Sequence, residues 1–151
     1  VARRLADEIG VPHVELDALH WGPGWAMPAP EEFRARVAVS LPDTGWVVDG
    51  EYMGKLGSLV LDQADLVVWL DLPLPTLLRR LWTRTLRRIR ERHELWAGNR
   101  ETWRGAFLSR ESLFVYALRT HLRRRRTLTA ELAGRNVVRL RSPGEVDAWL
   151  A

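Results

Sequence analysis

Two apolar runs, Trp46-Val47-Val48-Asp49-Gly50 and Leu66-Val67-Val68-Trp69-Leu70-Asp71, each end in an aspartate. Short runs without polar alternation predict strands buried on both faces, as in parallel sheets covered by helices. Stretches of helical period separate them, so the pattern predicts a three-layer α/β/α domain around a parallel sheet. Ligands of such sheets bind beyond the carboxyl ends of the strands. Asp49 therefore either starts a turn or presents a carboxylate to a ligand. Asp71, followed by Leu72-Pro73, is expected to terminate its strand.

The remaining elements follow from period and punctuation. Residues 1–9 read as a helix already in progress, with Val1, Leu5 and Ile9 on one face and Gly10 at its end. The stretch 11–17 predicts a strand with Asp17 at its tip, and Glu15 as a weaker candidate for a ligand-facing group. Residues 18–29, with Trp21, Trp25, two Gly and two Pro, predict an irregular aromatic segment. Pro30 suits the first turn of a helix through Phe33, Val37 and Leu41. A loose helix is expected from Met53 to Gln63, weakened by Gly54 and Gly57. Leu74, Leu77, Leu78, Leu81, Trp82, Leu86 and Ile89 form one stripe of a helix reaching about residue 94. The stretch 95–104 interrupts it, and a long helix is expected from Ala106 to Leu132 with Phe107, Phe114, Leu118 and Leu122 on its apolar side. Val137 to Leu140 predict a last strand. Ser142, Pro143 and Glu145 spell a capped helix start.

Charge divides the chain. From Arg79 to Arg126 there are fifteen Arg against four Glu, a net of +11, while the rest carries −7. Such a block implies an anionic partner: nucleotide phosphate, nucleic acid or an acidic surface. The absence of Cys excludes disulfides and thiolate zinc sites, and the four His show no metal-ligand spacing. No apolar run approaches a membrane span and no secretory leader is visible, so a cytoplasmic protein of one domain, residues 1–151, is expected.

Arg80, Arg84 and Arg88 recur at i, i+4, i+8 beside the apolar stripe. They form either an exposed charged face or a wall for a polyphosphate, and the nearby strand tip favours the wall. Asp17 and Asp49 are the leading acidic candidates, able to hold magnesium through water or to orient and deprotonate a hydroxyl. Trp21 and Trp25 could line an acceptor pocket. Asn99, Arg100 and Glu101 are mobile polar groups in this pattern, able to close over phosphates, although Glu101 could simply pair with Arg104. The tract Arg123 to Arg126 lacks the interleaved aromatics of single-strand binders, so nucleic acid is a minor possibility.

Taken together, ARRLADEIGVPHVELDALHWGPGW, WVVDGEY, ADLVVWLDLP, RRLWTRTLRR, LWAGNRE and VVRLRSPGEVDAWL resemble the adenylate-kinase-like P-loop kinases, specifically the bacterial DNA topology modulation (FlaR-related) group. The resemblance covers nearly the whole chain. It implies ATP-dependent phosphoryl transfer to a nucleotide or small-molecule acceptor, with Mg2+. Asp49 would lie near the metal, and Asp17 would face the acceptor. Arg80 and Arg84, with Arg88 beside them, would approach the nucleotide phosphates, and Arg100 would act from a lid-like insertion at about 91–104. Two departures stand out. Glu51 replaces the Asn of a DGNY pattern. No G-x-x-x-x-G-K-[ST] occurs in these 151 residues, although members carry a strand and that loop just before the helix that opens this sequence. The chain then reads as a member without its phosphate loop, and by itself it is expected not to turn over ATP. A non-catalytic nucleotide-binding protein and a basic DNA-binding protein are the alternatives.

Overall fold

Strand β1 (His13–Glu15) runs parallel to β2 (Val47–Asp49), and β3 (Val67–Leu70) runs parallel to β4 (Val137–Leu140). The computed structural model describes residues 1–108 and 112–151. By its contacts the chain divides into two units. The first holds Val1–Ala64, Trp96–Asn99 and Leu150; the second holds Asp65–Leu95, Arg100–Trp149 and Ala151. Each parallel pair belongs to one unit. The chain is thus mixed α/β with parallel strands, but among the described residues it has two two-stranded sheets where the sequence predicts one larger sheet. The strands have three or four residues each and are half-buried, unlike the fully buried runs expected. A strand with one neighbour leaves an edge unpaired, so continuous apolar sequence does not by itself secure burial.

In the first unit, α1 (Ala2–Ile9) ends at Gly10, whose φ of 72° supplies the left-handed cap. Ala6 is its buried residue, whereas Val1 and Ile9 are exposed, so the inward face is not the one predicted. Short helix α2 (Leu16–His20) follows β1 directly, where the sequence predicts strand as far as Asp17 and an irregular segment from residue 18. Leu16 drives the change: it is buried in the core, and helical geometry at this point turns it inward. Helix α3 (Pro30–Ser40) begins on Pro30, with Glu31 and Glu32 in a first turn that favours acidic groups. Its Phe33 and Val37, one turn apart, are wholly buried against Leu16 and Leu56, the latter from α4 (Met53–Leu56). Gly57 closes α4 after a single turn, so the loose helix to Gln63 does not form.

In the second unit, α5 (Leu74–Arg90) and α6 (Leu113–Glu131) lie between β3 and β4 in the chain. Leu81 and Thr85 are the buried residues of α5. Trp82 is 47% exposed, although its ring meets Phe107 and Phe114 at 5.0 and 6.1 Å. Phe107 belongs to a π-helical turn, Arg104–Leu108, and not to the long helix predicted from Ala106. Part of that predicted helix, 109–111, lies outside the described residues. Leu118 and Leu122 of α6 are 57% and 68% exposed. Residues spaced by four drift about 40° per step around a 3.6-residue helix, which carries Leu122 away from the face set by Phe114. Helix α7 (Pro143–Trp149) has the predicted start: Ser142 Oγ accepts from Glu145 N, and Glu145 Oε2 accepts from Arg141 N. No helix of the described residues is long and apolar enough to cross a membrane.

Asp71 anchors this unit. Its carboxylate, buried at the end of β3, accepts from Arg139 at 2.6 Å and from Arg125 at 2.8 Å, and the Arg139 guanidinium lies 4.1 Å from the Trp69 ring centre. Burial alone would raise its pKa, but hydrogen bonds from Arg139 and Arg125 and their charges outweigh it and hold the group below the ordinary carboxylate value. A depressed acid contributes stability above its unfolded pKa and loses it as pH falls through the folded one. Asp71→Ala should cost about 2 kcal/mol, less than a fully buried pair because both arginines keep contact with water. Urea unfolding at neutral pH should show this loss, and the difference from the parent should shrink under acid conditions. A pH-independent difference would refute the ion-pair account.

Candidate carboxylate site

The parallel register places Glu15 opposite Asp49 at the carboxyl ends of β1 and β2. Glu15 is therefore the acidic residue at the strand tip, and Asp17 lies two residues on, in the first turn of α2. Asp17 Oδ1 accepts a 2.5 Å hydrogen bond from the Tyr52 hydroxyl. Glu15 Oε2 accepts from the Trp96 indole at 3.1 Å. Asp49 Oδ2 stands 3.4 Å from His13 Nε2. Burial is the largest influence on Asp49 and raises its pKa; the His13 charge opposes this, while the negative charges of Glu15 and Asp17 add to it. Three carboxylates thus share one field at one strand edge, an arrangement that a cation would relieve.

Gly50 makes the close approach possible. Its φ is 118°, and a Cβ there would stand 2.9 Å from the Cβ of Leu16. The chain leaves β2 hard against α2, which brings Tyr52 to Asp17. Gly50→Ala should destabilise the protein by about 2 kcal/mol through left-handed strain and this clash. A melting temperature equal to the parent's would show that the two segments can move apart freely.

Beside the carboxylates lies an aromatic cage. His20 is 1% exposed, and its ring meets those of Trp21, Phe33 and Tyr52 at 4.8, 4.8 and 4.7 Å. Lys55 Nζ lies 3.0 Å from His20 Nε2. Burial first, then the Lys55 charge, lower the His20 pKa, with Asp17 opposing. His20 is accordingly neutral at pH 7. Tyr52 is pushed upward by burial and then by its bond to Asp17, so it stays a protonated donor. Trp21 and Trp25 meet edge to face at 5.5 Å. Asn99 is buried in this unit, accepting from Trp25 N and donating to the carbonyls of Gly22 and Trp96. It is a structural clamp and not the mobile polar group that its loop composition suggests.

The predicted arginines belong to the second unit. Arg80 and Arg84 are exposed on α5. Arg88 pairs with Glu101 at 2.9 Å, so Glu101 does not take Arg104 as the sequence spacing allowed. Arg100 pairs with Glu94 at 3.4 Å on an exposed antiparallel bridge. Within the tract 123–126, Arg125 is bound to Asp71 and Arg124 lies over the Tyr116 ring.

Sequence reasoning singled out Asp17 and Asp49, which the first unit brings to one edge, but missed His13, His20, Tyr52, Lys55 and Trp96. The only signal for Lys55 is that it is the sole lysine of the chain. No family model matches this chain, and comparison with curated proteins and with solved structures likewise returns no match.

Proposed function

We propose that this chain provides the acceptor side of an ATP-dependent phosphotransferase acting on a small hydroxylated or nucleotide substrate, built on a three-layer, adenylate-kinase-like P-loop scaffold. The observation that carries this proposal is the parallel register of β1 and β2, which gathers Glu15, Asp17 and Asp49 beyond the carboxyl ends of two strands. That is where ligands of parallel sheets bind. Asp17, with Oδ1 accepting from Tyr52, keeps a second oxygen for the acceptor hydroxyl. In transfer, the hydroxyl oxygen forms a bond to the γ-phosphorus and its proton goes to Asp17. The bond to the β–γ bridging oxygen breaks, and ADP keeps that electron pair.

Among the described residues no three His, Asp or Glu form a metal cage. Magnesium bound with ATP commonly uses one or two carboxylates and several waters, so a lone strand-tip aspartate in a negative field fits it. Asp49 would hold it, and when bound it would neutralise charge on the phosphoryl group. For Arg80, Arg84, Arg88 and Arg100, phosphate contacts are what the family resemblance implies; in their own unit Arg88 is paired with Glu101 and Arg100 with Glu94. The DNA-binding alternative is weakened by the internal contacts of Arg124 and Arg125.

The test is transfer from γ-labelled ATP to a panel of alcohols, sugars and nucleoside monophosphates. It should be run on these 151 residues and on the product of the full reading frame. Transfer is expected only from a product that contains a phosphate loop, and these 151 residues contain none. Absence of both transfer and ATP binding in the full product would remove the kinase reading.

A further inference from the structure

Lys55 carries a charge that the surrounding residues do not neutralise. Its ammonium has three donors. One meets the neutral imidazole of His20 at 3.0 Å, and another points to the Met27 thioether at 3.7 Å. No carboxylate stands within ion-pair distance of it among the described residues. Such a half-buried cation is costly unless an anion satisfies it. Its environment is nonetheless fixed. The Lys55 carbonyl accepts from Arg34 Nε at 2.6 Å, and α4 packs on α3. Because Lys55 donates to Nε2, the His20 proton sits on Nδ1, which is buried without a partner. A neutral imidazole in either tautomer accepts a hydrogen bond from the ammonium without offsetting its charge.

Contacts connect this ammonium to the carboxylate site. Lys55 meets His20, the His20 ring packs on Tyr52, and Tyr52 donates to Asp17. Met27, which the ammonium meets, is exposed. A cation and a carboxylate are thus held by one rigid aromatic cage, each with hydrogen-bonding capacity to spare.

We propose that Lys55 is an oxyanion anchor, and that the substrate of this site carries a phosphate-monoester or carboxylate group in addition to the hydroxyl that faces Asp17. Lys55 fixes the anionic end through a charge-assisted hydrogen bond, and the cage holds the ammonium in place before binding. His20 acts as a positioning residue, accepting from Lys55 without competing for the anion. This assignment of substrate class rests on the phosphotransferase reading; the anion site itself does not.

The sole lysine makes a direct measurement possible. With lysine labelled at Nζ with nitrogen-15, the protein should give one side-chain ammonium signal. Titration with inorganic phosphate, and separately with acetate, should shift that signal saturably. Lys55→Met should weaken binding of these probes by about tenfold or more, the loss of one charge-assisted bond, whereas Lys55→Arg should retain most of it. Folding of both variants is checked by near-ultraviolet circular dichroism. A linear, non-saturating shift with both anions, or equal affinity in the well-folded Lys55→Met variant, overturns the anchor. In the full reading-frame product, Lys55→Met should raise KM for anionic acceptors with little change in kcat, and leave neutral alcohols unaffected. Transfer that is insensitive to Lys55 overturns the substrate-class assignment and leaves the kinase reading standing. Saturable anion binding, with neither transfer nor ATP binding in the full reading-frame product, overturns the kinase reading and supports the anchor.

Discussion

Phe33→Ala is expected to destabilise the protein by about 4 kcal/mol, as large-to-small changes at fully buried aromatic positions do. Phe33 has no exposed surface, and its ring packs against His20 at 4.8 Å and edge to face against Tyr52 at 5.1 Å. Phe33 is the largest member of a small buried cluster with Leu16, Val37 and Leu56, so its ring is a large share of the volume that holds the surrounding half-buried residues in place. At about 2–4 °C per kcal/mol for a chain of this size, the melting temperature should fall by roughly 10 °C. Phe33→Leu, which keeps most of the volume, should cost less than half as much. The consequence reaches the site, because the lost ring supports both the imidazole that holds Lys55 and the phenol that holds Asp17. Loss of the Lys55–His20 contact in Phe33→Ala, seen as movement of the lysine ammonium signal, would accompany the stability change. An alanine variant within about 1 kcal/mol of the parent would mean that this ring is not a core element.

What could be read from the sequence was whatever depends on near neighbours. Pro30 with Phe33 and Val37 marked a helix start and its buried face, and Ser142-Pro143-Gly144-Glu145 marked a cap that forms as spelled. Gly10 ended its helix for the expected conformational reason. The strands were found, but not their pairing. An apolar run is the same whether a strand has one neighbour or two, and among the described residues each has one. Asp17 and Asp49 come to one edge, though not as the sequence predicts: it puts Asp17 at a strand tip, whereas the strand gives way to helix at Leu16, a buried residue. Tyr52 and Lys55 each lie 35 residues from their partners Asp17 and His20, and Trp96 lies 81 from Glu15. No local pattern reports such contacts. The arginine stripe is periodic in sequence, and Arg80 and Arg84 are exposed, but the period does not anticipate that Arg88 takes Glu101 across 13 residues.

If the protein transfers phosphoryl groups as proposed, Asp17→Asn in the transferring form should lower kcat by about 10^2–10^4-fold, the range for loss of a positioned general base. Asparagine has nearly the same shape, and its amide oxygen can still accept from the Tyr52 hydroxyl, the 2.5 Å bond that fixes this side chain. Stability and acceptor affinity should therefore change little while the chemical step slows. That separation makes the substitution informative: a merely structural aspartate would show its loss in the melting temperature. Tyr52→Phe provides the complementary case. It removes the donor but leaves the carboxylate, so the base survives with poorer orientation, and the rate should fall by about tenfold, well short of the Asn variant. Asp49→Asn differs from both: if Asp49 holds magnesium as proposed, its loss should change the metal concentration needed for half-maximal rate, and Asp17→Asn should not. If Asp17→Asn transfers phosphoryl groups at the parent rate, the base lies elsewhere on this edge. Glu15, in register with Asp49 and held by Trp96, would then be the carboxylate to replace.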